Sequence, residues 1–492
     1  MDRASILMLA ASAIVAGCGT SATSSTSTSP PSPTPVSVPT PTPRPPLPSL
    51  EPFVRSDTEW TTYMGDRARA GIGPAGPLAT NPHRTWTAQV DGDVYAEPLV
   101  AGGSVIVATE QDSVYALDPD SGAVRWRRHL GEPVPVGELA CGNIAFNGIT
   151  STPVVDPAAG IVYAVAMFDS PMRHELFAVR LSDGGIVWSR GVDPPGAEPR
   201  IHQQRGSLNL AHGLVYMSYG GFSGDCGRYN GWVVGAPVSG TGPLYTWEVG
   251  STVGGAVWAP PGPVISSAGD VWVTTGNTNA GQGATQGTYD DANGVFHLDA
   301  ALASAVDGWA PQNWAALNRD DVDLGSVAPA LLPGGLVFAV GKEGVGYLLR
   351  DSHLGGIGGE VFKDMACRHG GPEGGAFGGV AVVGSTLLVP CKDGLAALHV
   401  DSSAPSFSVA WRSASSANSP LLAYGLIWTV VVEGLNGHTE AWSGALVGLD
   451  PATGATRVQL HLGGIPHYPS PAAAGGHLYI AGLGSVYAVS AV

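Results

Sequence analysis

Charge is scarce in this 492-residue chain: 13% of residues are Asp, Glu, Lys or Arg, about half the usual share. A coiled coil or exposed helical bundle, which needs charged faces, is therefore disfavoured. The charge present is mostly negative, 40 acidic against 23 basic residues for a net −17. With no basic stripe, neutralisation of nucleic-acid phosphates and docking on anionic headgroups lack their driving force, so neither partner is expected. No Cys-x-x-Cys-His stretch offers a haem attachment, and no Gly-x-Ser-x-Gly or phosphate loop is present. The 13 histidines show no metal-binding spacing. The apolar run Ile6 to Ala16 is too short for a membrane-spanning helix. What the chain has in excess is glycine, 70 residues, about twice the average share. Short β-type runs between glycine-rich turns make the body all-β, and it is long enough to bury a core without disulfides or metals.

The apolar run has the length of a signal-peptide core and ends at Val15-Ala16-Gly17-Cys18. This resembles a bacterial lipoprotein box. The resemblance implies that residues 1–17 are removed and that Cys18 carries lipid, anchoring an extracytoplasmic protein to the cell membrane. Residues 18–52 are rich in Ser and Thr and then in Pro, with ten prolines between Pro30 and Pro48. Such a segment buries too little apolar surface to order itself and is expected to act as an extended tether of about 3.1 Å per residue. The folded domain is expected over residues 53–492.

That domain is repetitive. Each unit opens with a small or Pro-bearing strand, continues as an apolar hairpin and closes with a polar-Gly turn leading to Trp. The openers centre on Pro98, Pro153, Asn209, Pro263, Pro329, Val380, Pro420 and Pro471, eight units about 40 to 65 residues apart. Asp118 through Gly122 reaches Trp126, and Arg180 through Gly184 reaches Trp188, at identical offsets. The same Trp recurs at Trp247, Trp309 and Trp411; the seventh unit puts Val458 there, and the fifth has neither turn nor Trp. The last unit runs out of chain before its outer strand, while Trp86 stands ahead of the first opener. Arg84 to Val90 is therefore expected to complete the eighth unit.

This pattern resembles the tryptophan-docking repeats of pyrroloquinoline-quinone-type β-propellers, and the resemblance covers Trp86 to Val492. It implies an eight-bladed propeller of four-stranded antiparallel blades, with one large flat ring filling each wedge between sheets. In a blade with strands A to D running outward, the B–C turn and the D–A connection emerge on one face. Cys141 and Cys367 fall in D–A connections and Cys226 and Cys391 in B–C turns, so all four reach that face. In an oxidising compartment two disulfides are expected among three pairings, of which Cys141–Cys226 with Cys367–Cys391 joins loops adjacent in sequence.

The same face collects Trp258 after Gly254-Gly255, Asn277 after Thr275-Gly276, the acidic run Asp320, Asp321, Asp323, and Lys342, one of three lysines in the chain. In quinoprotein alcohol dehydrogenases a Trp after a Gly-Gly stretch stacks under the quinone, and the Asn of a Thr-Gly-Asn binds a metal. An Asp in an acidic loop is the base, and a Lys or Arg in a following turn holds the quinone oxygens. The resemblance thus implies Trp258 and Lys342 for pyrroloquinoline quinone, Asn277 for Ca2+, and Asp321 or Asp323 as catalytic base. The sequence departs from that pattern: the adjacent-cysteine ring is absent and the metal-ligand Glu has no counterpart, although Asp225 lies nearby. Each residue also has a plainer reading: Trp258 as blade filler, Asn277 as turn former, the aspartates as a solvated loop, Lys342 as a hairpin tip.

Two functions follow. One is a monomeric quinoprotein-type dehydrogenase acting on an alcohol or sugar. The other is a scaffold for cell-envelope proteins, resembling the propeller lipoprotein of the outer-membrane barrel-assembly machinery, with no cofactor.

Overall fold

The computed structural model describes residues 46–77, 81–278, 287–435 and 442–492. Cys18 and the lipoprotein box lie outside the described residues, as does the tether as far as residue 45. Leu47 to Val492 form a compact unit. It is an eight-bladed propeller of four-stranded antiparallel sheets.

Blade 1 is built from Leu99–Ala101, Ser104–Ala108, Ser113–Leu117 and Val124–His129, and blades 2 to 7 repeat the plan, blade 4 adding the short strand Gly356–Ile357 parallel to its outer strand Ala305–Ala310. Their innermost strands start at Val154, His202, Val264, Ala330, Ala381 and Leu421. Blade 8 takes Ala472–Ala474, His477–Gly482 and Ser485–Ser490 from the end of the chain and its outer strand, His83–Gln89, from the beginning. Strands near the axis are buried on both faces, as Ser104–Ala108 and Ser113–Leu117 are throughout, which explains their unbroken apolar runs. Outer strands such as Val124–His129 are largely exposed and carry the arginines.

The tryptophans connect blades. Trp86 donates its indole N–H to the Pro119 carbonyl of blade 1, Trp126 to Leu181 of blade 2, and Trp411 to Pro451 of blade 7. Each ring lies over the turn glycine of the same blade: a Cβ on Gly122 would stand 2.7 Å from Trp86, one on Gly184 2.6 Å from Trp126, and one on Gly454 2.3 Å from Trp411. Gly and Trp thus recur at fixed offsets because the ring of one blade occupies the space that a side chain at the next blade's turn would need. In blade 5, which lacks the Trp, Phe362 packs edge-on against Phe407 of blade 6 at 5.1 Å.

Ahead of the first blade the chain crosses the propeller axis, which the sequence did not announce. Asp57, Trp60, Thr61, Arg67, Ala70 and Gly71 make backbone hydrogen bonds to the innermost strands, or their first turn, of blades 8, 1, 2, 4, 6 and 7. These strands are sheet edges with free N–H and C=O groups, and the crossing segment satisfies them. Trp60, Tyr63 and Met64 are buried on the axis, and the indole of Trp60 donates to Glu97 at 2.5 Å. The docked region also starts earlier than the expected Phe53: Leu47 and Leu50 pack against the core of blades 3 and 4, and the Pro48 carbonyl lies 2.9 Å from His212 Nδ1.

Candidate functional site

The B–C turns and D–A connections gather at one mouth of the propeller around a cleft of about 350 Å³. Trp258, Asn277, Asp321, Asp323, Lys342 and Asp225 all line it. They come from the blade 3–4 connection, the turn of blade 4, the blade 4–5 connection, and the turns of blades 5 and 3.

At its centre is an ion-paired group. Lys342 Nζ lies 2.6 Å from Asp323 Oδ2 and 3.4 Å from Asp321 Oδ1. Asp323 Oδ1 accepts the backbone N–H of Asn277 at 2.8 Å, and the Asn277 side-chain amide donates to Asp321 Oδ1 at 3.2 Å. A Cβ on Gly276 would stand 2.6 Å from the Asp323 carboxylate, so the glycine of Thr275-Gly276-Asn277 is what lets the acid approach that N–H. Lys342 and Asp323 are buried, whereas the Asp321 side chain is 60% exposed at the mouth. Burial and the neighbouring Asp323 raise the Asp321 carboxyl above its ordinary range. Burial alone would lower Lys342, but Asp323 and Asp321 outweigh it and the ammonium is held above its usual value.

Trp258 is half-buried, and its ring neighbours come from other blades: Phe377 at 6.3 Å, Tyr468 at 6.4 Å, and Lys342 Nζ at 6.0 Å from the centroid. It therefore lies across the mouth and does not serve as filler between adjacent sheets. Asp225 accepts the Tyr229 hydroxyl at 2.5 Å, and burial raises its carboxyl. Among the described residues no group of three or more His, Cys, Asp or Glu is placed to hold a metal ion. Of the two residues expected to hold a metal, the Asn277 amide donates to Asp321 and the Asp225 carboxylate accepts the Tyr229 hydroxyl.

Both disulfides pair as the adjacent loops suggested, Cys141 with Cys226 and Cys367 with Cys391, with Cα separations of 5.9 and 5.6 Å. Sequence reasoning missed Arg205, Lys392, Phe377 and Tyr468, which line the same cleft. Lys392 was within reach of the turn argument, since it follows Cys391 in the B–C turn of blade 6. Asp225, Asp321 and Tyr468 all have left-handed backbone, with φ of 50°, 54° and 57°, so strained non-glycine residues gather at this cleft.

The repeats and the blades agree with relatives. A family model described as outer membrane protein assembly factor BamB matches residues 81–297. Together with eight blades of this construction, that match points to one type. The chain matches the pyrroloquinoline-quinone-type β-propellers in its repeats and in its fold. Over 116 residues, 21% of this chain, the propeller is 27% identical to the outer membrane protein assembly factor BamB of Burkholderia pseudomallei; it spans about 30% of that relative's length. Among solved structures, the quinohemoprotein alcohol dehydrogenase of Comamonas testosteroni aligns with a TM-score of 0.64 and 15% identity over 88% of this chain and 80% of that one. A europium-containing methanol dehydrogenase aligns at 0.65 and 13% over 88% and 98%. At such identities the likeness to the dehydrogenases is one of fold. No helix among the described residues is long and apolar enough to cross a membrane.

Proposed function

We propose that this protein is an extracytoplasmic, lipid-anchored dehydrogenase of the quinoprotein type, with pyrroloquinoline quinone in the axial cleft. The observation that carries the reading is the convergence of Trp258, Asn277, Asp321, Asp323 and Lys342, from separate loops, into one ion-paired group beside an open ring face.

The residues fit the quinone. Trp258 offers a platform for a planar ring system and Lys342 a buried ammonium for quinone oxygens. For a calcium ion the residues offered are Asn277 and Asp225, whose side chains are already bonded to Asp321 and Tyr229, and no step is routed through a metal. When bound, the quinone supplies a two-electron oxidising group. Asp321, exposed at the mouth with a raised carboxyl, takes the proton of the substrate hydroxyl. Asp323, held by Lys342 and the Asn277 N–H, fixes the ammonium in place.

The test is to mix the full chain with the quinone, desalt, and measure retained absorbance and mass, then dye-linked oxidation of an alcohol and sugar panel. Retention and turnover are expected, with Asp321→Asn keeping the quinone and losing turnover. No retention by the parent, or equal turnover by Asp321→Asn, would overturn the reading. The family match over residues 81–297 favours a second reading, a protein-binding scaffold of the cell envelope, whose partner binding Asp321→Asn would leave unchanged.

A further inference from the structure

The cleft has a second pole, distinct from the aspartate–lysine group. Arg205 lies in the innermost strand of blade 3, where the register breaks between Gln204 and Gly206. Lys392 sits in the turn fastened by the Cys367–Cys391 disulfide. Both approach one ring: the Arg205 guanidinium carbon is 5.2 Å and Lys392 Nζ 5.9 Å from the Tyr468 centroid. Lys392 also lies 4.9 Å from the centroid of Phe377, which stacks on Tyr468 at 5.4 Å and 9°. Two of the three lysines of a chain with net charge −17 thus face one cleft of about 350 Å³.

Of the charges lining the cleft, Arg205 and Lys392 face Glu373 at this pole, Lys342 sits with Asp321 and Asp323 at the other, and the buried Glu110 also acts on Arg205. Burial lowers the Lys392 ammonium, and Glu373 offsets part of that. His467 beside them is pushed down to about 4 by burial and by the two cations, so it is neutral at neutral pH. A guanidinium with a buried, unpartnered N–H, backed by aromatic rings, calls for an anionic oxygen acceptor.

We infer that this pole holds the carboxylate of the substrate, so that the molecule oxidised is a hydroxy acid of sugar-acid size and not a neutral alcohol. The inference rests on the dehydrogenase reading for the identity of the site. Trp258 joins the two poles, its ring 6.4 Å from Tyr468 and 6.0 Å from Lys342 Nζ. An acid anchored at Arg205 and Lys392 extends its hydroxyls towards Asp321, alongside the quinone seated on Trp258. In the reaction Asp321 would take the O–H proton as the C–O bond becomes C=O, and a bound quinone would supply the acceptor for the C–H hydrogen and its electron pair.

The experiment titrates sodium D-glucuronate and D-glucose, by calorimetry, into the full chain with and without the quinone. Glucuronate is expected to bind at least about tenfold more tightly than glucose and to weaken with added salt. Lys392→Gln and Arg205→Gln should each weaken glucuronate about tenfold, with Lys392→Arg restoring it. Melting curves identify any misfolding of the strand variant Arg205→Gln, and the turn variant at Lys392 then carries the test. Equal binding of the two sugars, or unchanged glucuronate binding in the Lys392→Gln variant, overturns the inference. Competition between glucuronate and quinone assigns the pole to the quinone's own carboxylates and also overturns it. Glucuronate binding without quinone retention leaves the acid site standing and removes the dehydrogenase reading.

Discussion

The indole Nε1 of Trp86 donates to the carbonyl oxygen of Pro119 at 2.8 Å, and this bond ties the strand that completes blade 8 to the turn of blade 1. The strand and the turn are 33 residues apart, yet the strand's own sheet partners are at the other end of the chain, with Thr87 opposite Tyr487.

Closure should therefore be sensitive at this contact. Trp86→Ala removes a mostly buried ring and should cost about 3–5 kcal/mol, Trp86→Phe about 1 kcal/mol for the lost hydrogen bond. Gly122→Ala should be costly on two counts, φ of +71° and a Cβ 2.7 Å from Trp86. Denaturant melts of the three variants check the order, and a Gly122→Ala protein as stable as the parent would contradict the packing.

Lys342 neutralises a buried carboxylate. Lys342→Met leaves Asp323 without its counter-ion and is expected to destabilise the protein by about 3–5 kcal/mol, because breaking a buried pair exposes the full desolvation cost of the remaining charge. The double variant Lys342→Met, Asp323→Leu should recover much of that loss. A double-mutant cycle by chemical denaturation reads the coupling directly.

Near the axis, Glu97, Glu110 and Asp112 are buried, and burial raises their carboxyls to about 7, about 8 and about 9. Unfolded, they would titrate near 4.5, 4.5 and 3.8. Between those values the native state holds protons that the unfolded chain has lost, so this contribution to stability is full below about pH 4 and declines as pH rises towards about 9. Melting temperature should fall from pH 6 to pH 9. Glu110→Gln with Asp112→Asn should flatten that slope, and a slope unchanged in the double variant would refute the assignment.

Anchoring is tested at Cys18. If the lipoprotein box is read by the export machinery, Cys18→Ala should leave an uncleaved precursor or release the protein from the membrane fraction. Membrane retention together with a mature N-terminus would count against the anchor. Fractionation with N-terminal mass analysis separates the cases.

The architecture was legible because its cause is local and repeated. A ring that lies on the next blade's turn glycine imposes the same Gly-to-Trp offset wherever it occurs, and Gly122, Trp126, Gly184 and Trp188 show it without an alignment. The face of the site was legible as well, since alternation of turns places Trp258, Asn277, Asp321 and Lys342 at one mouth regardless of side-chain detail. Arg205 was not, because a cation in the polar half of the strand His202–Ala211 gives no sign of which way a register break turns it. Nor was the segment around Trp60, Tyr63 and Met64, whose partners are backbone groups on six different blades and carry no sequence signature.

By itself, then, the sequence determined the number of blades, the type of each strand and which loops meet at one end, all consequences of periodicity and chain direction. Only the tertiary structure decided that Lys342 sits on both Asp321 and Asp323. It alone showed that Arg205 and Lys392 converge on Tyr468, and that the first folded residues plug the axis. Those outcomes depend on distances of a few ångströms between residues tens to hundreds of positions apart, and at that range burial and charge, not pattern, fix which groups pair.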